Sequence, residues 1–183
     1  SFPTRRSSDL EYLERELTIL FEADGWSKEG SPGYHGFAMR SLLEYAHLAE
    51  LNGMIISDSA KRKLRTVADA GWKLLAPDGD YPVFADHVRQ TQYQGFHGQD
   101  RPEFQSCMEM RRLAARFTLP EAKYVADALD PDWHLPYGCV LPDGGENVQQ
   151  AYRRLPAIAP PLDTVLPESG LYAIRQNWTP QAD

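Results

Sequence analysis

Residues 24–51 read DGWSKEGSPGYHGFAMRSLLEYAHLAEL, and this stretch joins a loop to a helix. Its early part, 26–33, holds two glycines and one proline, which exclude a helix there. From about Tyr34 onwards, apolar residues return at the helical spacing, and Asn52-Gly53 provides an end signal. The sequence therefore predicts a helix over about 34–51. A loop held between rigid helices is well placed to present side chains to a cleft.

The same helical spacing continues on both sides of this stretch. Upstream, leucines alternate with charged residues, as in an amphipathic helix. Downstream, Ser57 or Ser59 can cap a third helix whose apolar stripe reaches Leu75. With two further helices, the predicted set is about 9–23, 34–51, 57–75, 103–117 and 121–129. Short breaks between such segments predict antiparallel helical hairpins over roughly 11–130.

The chain changes character after residue 130. Seven of its 14 prolines lie from Pro131 to Pro167, which favours an extended connector over 131–166 without a packed element. Residues 170–175, GLYAIR, are typical of one β-strand. Because one strand cannot form a sheet, we expect its partners beyond residue 183. Helices followed by a strand suggest an α domain and then a β domain beginning at about 167.

Composition limits the class of partner. The net charge is −7 over 183 residues, which argues against nucleic-acid binding and means that an acidic ligand must be held by local cations. No run of 18 apolar residues indicates a membrane span. Cys107 and Cys139 lack metal-ligand spacing, and whether they pair stays open. The histidines without metal-ligand spacing are expected to have no metal role; they are His47, His97 and His134.

Three segments carry a family resemblance. The pattern DG, a few residues, then EGSPGYH ending at His35 resembles the segment with the catalytic tyrosine in heparinase II/III-like and related alginate lyases. The run PDGDYP at 77–82, with Ala85-Asp86, resembles the family's downstream turn, although the family's pattern has glycine where Ala85 stands. The run SGLYAIR at 169–175 resembles the entry into its β-sandwich. The resemblance covers about 11–178.

The resemblance implies a mainly α fold. It predicts an incomplete α/α toroid of helical hairpins over 11–130, a Pro-rich linker over 131–166 and the first strand of a truncated β-sandwich over 167–183. Residues 1–10, SFPTRRSSDL, resemble a translated sequencing adapter and are set apart as an artefactual tail. The chain is then expected to be a fragment of a longer enzyme and to be inert alone. The family is periplasmic or secreted, and a cytoplasmic location stays open.

The resemblance also implies the chemistry. Such enzymes cleave uronic-acid glycans by β-elimination, and a phenol can protonate the leaving oxygen as general acid. That role falls on Tyr34. His35 is the second catalytic candidate, and it could hydrogen-bond within the loop, contact substrate or orient Tyr34. The family's Asn and His that neutralise the substrate carboxylate lie upstream of this segment, and another His lies in its β domain. No cofactor is expected here. The candidate substrate contacts are Glu29, Arg40, Asp86, His87 and Arg89.

Other interpretations stay open. Tyr34 could be a core aromatic, Glu29 a turn cap and Arg40 a solvated surface residue. A hydrolase on a similar helical barrel would pair Asp24 or Glu29 with Asp86 as acid and base. A glycan-binding domain without catalysis is a third hypothesis. Heparan-type chains, alginate and other uronic-acid glycans all fit the pattern, and the sequence does not give the oligomeric state.

Overall fold

The chain is mainly helical, as the sequence predicted. The structure is a computed structural model that describes residues 3–77, 81–86, 102–129 and 146–178. In this part of the chain there are six helices and one two-stranded sheet. In chain order they are α1 (Pro3–Leu20), α2 (Pro32–Leu51), α3 (Asp58–Lys73), α4 (Pro102–Phe117), α5 (Pro120–Leu129), α6 (Glu146–Arg154), β1 (Thr164–Leu166) and β2 (Leu171–Ala173).

The first five helices are those predicted from the apolar spacing. Four of them begin at a proline, which suits the first turn of a helix because the N–H that proline lacks would have no partner there. The helix α2 ends at Leu51. The backbone N–H of the following Asn52 donates to carbonyls of the last turn, and Gly53 comes next with φ +71°. The helical part of the prediction is thus confirmed, whereas closure into a toroid stays a prediction.

The helix α6 was missed. Residues 131–166 were expected to hold no packed element, and this was wrong, because Glu146–Arg154 is helical. The prolines of that region stop at Pro142 and resume at Pro156, which leaves a proline-free stretch long enough for two turns. Tyr152 anchors this helix, since its ring is buried and its hydroxyl donates to Asp127 of α5.

The strand prediction also needs a correction. The strand at 171–173 was expected to find its partners beyond residue 183, but β2 pairs with β1, which precedes it. Residues 167–170 form the turn between them, where the N–H of Gly170 donates to the carbonyl of Pro167 at 3.2 Å. Gly170 has φ +66°, a conformation that favours glycine. Sequence patterning missed β1 because it has three residues and closely follows two prolines.

The chain divides into two compact units. Unit 1 holds the residues up to Gly71, a short stretch that begins at Phe84, and Leu166–Leu171. Its core is formed by apolar side chains of α1, α2 and α3 together with the loop between α1 and α2. The members that are at most 2% exposed include Leu13, Leu17, Phe21, Trp26, Met39, Leu64 and Val67.

Unit 2 contains α4, α5 and α6, with α4 packed against both of the others. It also contains Arg175, a buried arginine that holds the end of α3. Its guanidinium donates to the carbonyl of Leu75 at 2.8 Å, to the hydroxyl of Thr164 at 3.1 Å and to the carbonyl of Lys73. The last carbonyls of a helix have no partner within it, and Arg175, together with the hydroxyl of Thr164, satisfies the carbonyl of Lys73 at the end of α3.

Among the described residues, none of the helices has both the length and the apolar character needed to cross a bilayer.

Candidate active site

The loop between α1 and α2 is held by backbone hydrogen bonds. Phe21 and Ser27 form an isolated antiparallel bridge, and the N–H of Glu22 donates to the carbonyl of Trp26 at 2.8 Å. The N–H of Lys28 donates to the carbonyl of Leu20 at 2.9 Å, which ties the loop to the end of α1. These bonds give the segment before α2 one defined path.

Gly25 lets this loop approach α3. It has φ +94°, and a Cβ placed on it would lie 2.3 Å from the backbone carbonyl oxygen of Thr66. Both the conformation and the space exclude an ordinary side chain. In the DG pair of the sequence pattern, Gly25 therefore lets the backbone of the loop lie close to the backbone of α3, and glycine is the only residue that fits there.

His35 lies under the loop in an aromatic sandwich. Its ring stacks on Trp26 with centroids 4.2 Å apart, and it meets Phe21 edge-on at 5.7 Å. The side chain is fully buried, and neither ring nitrogen has a hydrogen-bond partner among the described residues. Burial lowers the pKa of His35 from 6.5 to about 3, so the imidazole is neutral. This position suits the orienting role among the three considered for His35, not direct contact with substrate.

Tyr34 is the third residue of α2, and its side chain is 49% exposed. The N–H of the next residue, His35, donates to the carbonyl of Ser31 at 2.9 Å, which makes this segment the first helical turn. Because His35 is anchored in the core, its neighbour Tyr34 is held at the surface. The exposure argues against Tyr34 as a core aromatic; its catalytic role stays a prediction.

The exposed face of α2 carries two further residues of interest. Arg40 is exposed and lies about 9 Å along the helix from Tyr34 and roughly 120° around it. Phe37 falls between them in helical register and is 65% exposed. Sequence analysis did not single out Phe37. The signal was its absence from the apolar stripe of α2, which leaves a large aromatic on the other face.

The remaining candidates differ in how far the structure places them. Glu29 is exposed. It was considered as a cap of the turn, but the side-chain hydrogen bond in this turn comes from Ser27, whose hydroxyl accepts from the N–H of Glu29 at 3.3 Å. Asp86 is exposed in a separate segment of unit 1. The preceding Ala85 has φ +51°, so it adopts the left-handed conformation that the family's glycine would favour. Four residues lie outside the described part of the chain: His87, Arg89, His97 and His134.

Asp24 is held by the turn at 167–170. One carboxylate oxygen accepts from the hydroxyl of Ser169 at 2.7 Å and from the N–H of Trp26 at 3.2 Å, and the other accepts from the N–H of Ser169 at 2.9 Å. Partial burial alone would raise the pKa of Asp24, but the hydrogen bonds, led by those from Ser169, outweigh burial and lower the pKa. An ionised, fully engaged carboxylate is poorly suited to general-acid catalysis.

A family comparison covers this site. A model described as the heparinase II/III N-terminus matches residues 3–99, more than half of the 183-residue chain. The chain belongs to the heparinase II/III family. Neither a curated protein nor a solved structure matches it.

Membership in the heparinase II/III family confirms the resemblance drawn from the EGSPGYH segment, and it indicates a polysaccharide lyase. The matched region contains α1, α2, α3 and the loop that leads to Tyr34. Within the described residues of this heparinase II/III chain, no group of three His, Cys, Asp or Glu side chains could hold a metal ion.

The buried state of His35 predicts acid sensitivity in this heparinase II/III chain. The unfolded chain binds a proton at His35 below about pH 6.5, whereas the folded chain does so only near pH 3. The free energy of unfolding should therefore fall as the pH falls between these values. At about pH 4.5 the loss relative to neutral pH should be roughly 2–3 kcal/mol.

Urea unfolding across this pH range measures the effect in the wild type and in His35→Phe, whose ring still fills the sandwich. The variant should lose this part of the pH dependence. Equal pH dependence in both proteins would contradict a neutral, buried His35. The engaged carboxylate of Asp24 contributes only below its ordinary pKa of 3.8, outside most of this window.

Proposed function

We propose that this chain carries the general acid of a polysaccharide lyase that cleaves uronic-acid glycans by β-elimination, and that Tyr34 is that acid. The observation that carries the proposal is the half-exposed Tyr34 phenol at the first turn of α2, held up by the buried ring of its neighbour His35. A surface phenol on a rigid support can reach a polymer, which a core aromatic cannot.

The reaction needs a proton at one defined atom. A base removes the proton from C5 of the uronic acid, the electron pair forms the C4–C5 double bond, and the bond from C4 to the glycosidic oxygen breaks. Tyr34 gives its phenolic proton to that oxygen as it leaves. The groups that remove the C5 proton and neutralise the carboxylate are assigned, by family resemblance, to an Asn and a His upstream and a His in the β domain. None of these is assigned to a residue of this chain.

The exposed face of α2 supports substrate binding next to Tyr34. Arg40 offers a cation for a uronic-acid carboxylate, which a chain of net charge −7 must supply locally. Phe37 offers an aromatic face for a sugar ring. The first turn of α2 contains no acidic residue, so the positive end of the helix dipole is not offset there. Further proposed contacts are Glu29, Asp86, His87 and Arg89.

The hydrolase hypothesis is less well supported. It requires two free carboxylates, and Asp24, one of its candidates, has both oxygens occupied by Ser169. Glu29 and Asp86 remain as the acid and base of a hydrolase, but no contact between them supports such a pair in the described residues. A lyase also agrees with the heparinase II/III family. By the same family analogy, we propose a periplasmic or extracellular location.

Product analysis tests the proposal. The protein, expressed from its complete reading frame, should release unsaturated sugars from a uronic-acid polymer, detected by their ultraviolet absorbance. A neutral polymer of similar length is the control, since it has no carboxylate to acidify C5. New reducing ends without ultraviolet absorbance would indicate hydrolysis. Binding of the polymer without any product would indicate a carbohydrate-binding domain.

A further inference from the structure

The turn at 167–170 and the loop before α2 meet through one carboxylate. Asp24 and Ser169 are 145 residues apart in sequence, yet both belong to unit 1. Ser169 donates twice, from its backbone N–H at 2.9 Å and from its hydroxyl at 2.7 Å, and each bond ends on a different oxygen of Asp24. Two charge-assisted bonds from a single residue fix both the distance and the orientation of the carboxylate.

The contact continues inward from Asp24. Its Oδ1 also accepts from the backbone N–H of Trp26 at 3.2 Å, so the carboxylate holds the backbone that carries the indole. The indole stacks on the imidazole of His35 with ring planes 10° apart. His35 is the residue after Tyr34 in the first turn of α2. The path from Ser169 to Tyr34 therefore passes through two hydrogen bonds, one ring stack and one peptide unit.

We propose that Asp24 is a positioning residue: by binding the turn at 167–170, it fixes the Trp26–His35 stack that holds Tyr34 in its catalytic position. The proposal rests on the proposed function of Tyr34. It gives the turn between β1 and β2 a role in turnover, because release of Ser169 loosens the support of the general acid. Backbone hydrogen bonds already hold the ends of the loop. Asp24 therefore fixes the tip of the loop, which contains Trp26, the residue that stacks on His35.

Variants at both ends of the contact test this role. Asp24→Asn replaces one acceptor oxygen with an NH₂ group that faces a donor of Ser169, and Ser169→Ala removes the hydroxyl bond. Each should lower kcat about 10–100-fold with little change in KM, since the acid is misplaced while the binding surface remains. The double variant should be no worse than Asp24→Asn, because both changes break one contact. Ser169→Thr, which keeps the hydroxyl, should restore most of kcat.

Glu168→Gln is the matched control. Glu168 is exposed and adjoins Ser169, so the change removes a charge from the same turn and leaves the side-chain bond to Asp24 intact. It should leave kcat unchanged. A fall in kcat for Glu168→Gln equal to that of Ser169→Ala would overturn the proposal in favour of a general effect of the turn. So would additive losses in the double variant.

Amide hydrogen exchange gives a readout that does not depend on activity. Exchange at residues 25–35 should be about tenfold faster in Asp24→Asn and Ser169→Ala than in the wild type, with α5 unchanged as an internal reference. Unchanged exchange, or faster exchange with wild-type kcat, would overturn the positioning role. If the wild type released no product from any uronic-acid polymer, the proposed function would fail, and exchange would still decide whether Asp24 fixes the loop.

Discussion

In the protein expressed from its complete reading frame, replacing Tyr34 with phenylalanine should lower kcat by about 10²–10⁴, with little change in KM. The substitution removes one oxygen from a ring that is 49% exposed, so packing beneath it is kept. The phenolic proton is needed only as the glycosidic bond breaks, and ground-state binding depends on it little. Steady-state kinetics on a uronic-acid polymer, followed by the absorbance of the unsaturated product, measures both parameters.

Tyr12→Phe provides a matched control for this experiment. Tyr12 lies on α1 and is also 49% exposed, so the same hydroxyl is removed from a surface tyrosine away from the loop. Its kcat should equal that of the wild type. A Tyr34→Phe enzyme with full turnover would remove Tyr34 from the mechanism and return the exposed face of α2 to a binding role.

The helices could be predicted because their information is local. Apolar spacing within each segment records which side faces the core, and it gave five of the helices in the described residues to within a few positions at most ends. The helix α6 and the strand β1 were missed for a related reason. Both are short, and the surrounding prolines dominate the pattern, although tertiary contacts of Tyr152 and Thr164 hold them in place.

The site could be predicted only in part. The EGSPGYH segment pointed to Tyr34, but adjacency in sequence suggested similar roles for Tyr34 and His35. The register of α2 separates them, since His35 lies in line with Met39 and Leu42 on the buried face. That signal was present in the sequence at spacings of four and seven residues. A histidine is seldom buried without a hydrogen-bond partner, so the residue type of His35 argued against the buried position that the helical register indicates.

The contact between Asp24 and Ser169 was beyond local patterning. Neither segment contains a sequence signal for contact with the other, and 145 residues separate them. The family resemblance includes both the DG pair and the SGLYAIR strand, but it does not indicate that the two segments are in contact. The carboxylate of Asp24 suggested an acid or base in the hydrolase hypothesis, whereas its hydrogen bonds to Ser169 and Trp26 indicate a structural role.

Gly25 tests the geometry on which this part of the site depends. Gly25→Ala should lower the free energy of unfolding by about 3–5 kcal/mol, from the combined cost of a strained backbone and a displaced neighbour. The residue has φ +94°, and the added Cβ would overlap the carbonyl oxygen of Thr66, which is backbone and cannot rotate away. Since native proteins are stable by only about 5–15 kcal/mol, the variant should lose a large fraction of its stability.

Two other glycines separate these causes. Gly30 has φ +70° with nothing within 4 Å of its Cβ position, so Gly30→Ala should cost only the conformational part, about 1–2 kcal/mol. Gly36 lies within α2 in open space and should gain up to about 1 kcal/mol as alanine, because alanine favours the helix. Urea unfolding of the three variants should therefore rank Gly36→Ala as the most stable and Gly25→Ala as the least. If Gly25→Ala cost no more than Gly30→Ala, the close approach of the loop to α3 would be wrong, and with it the rigid base assigned to Tyr34.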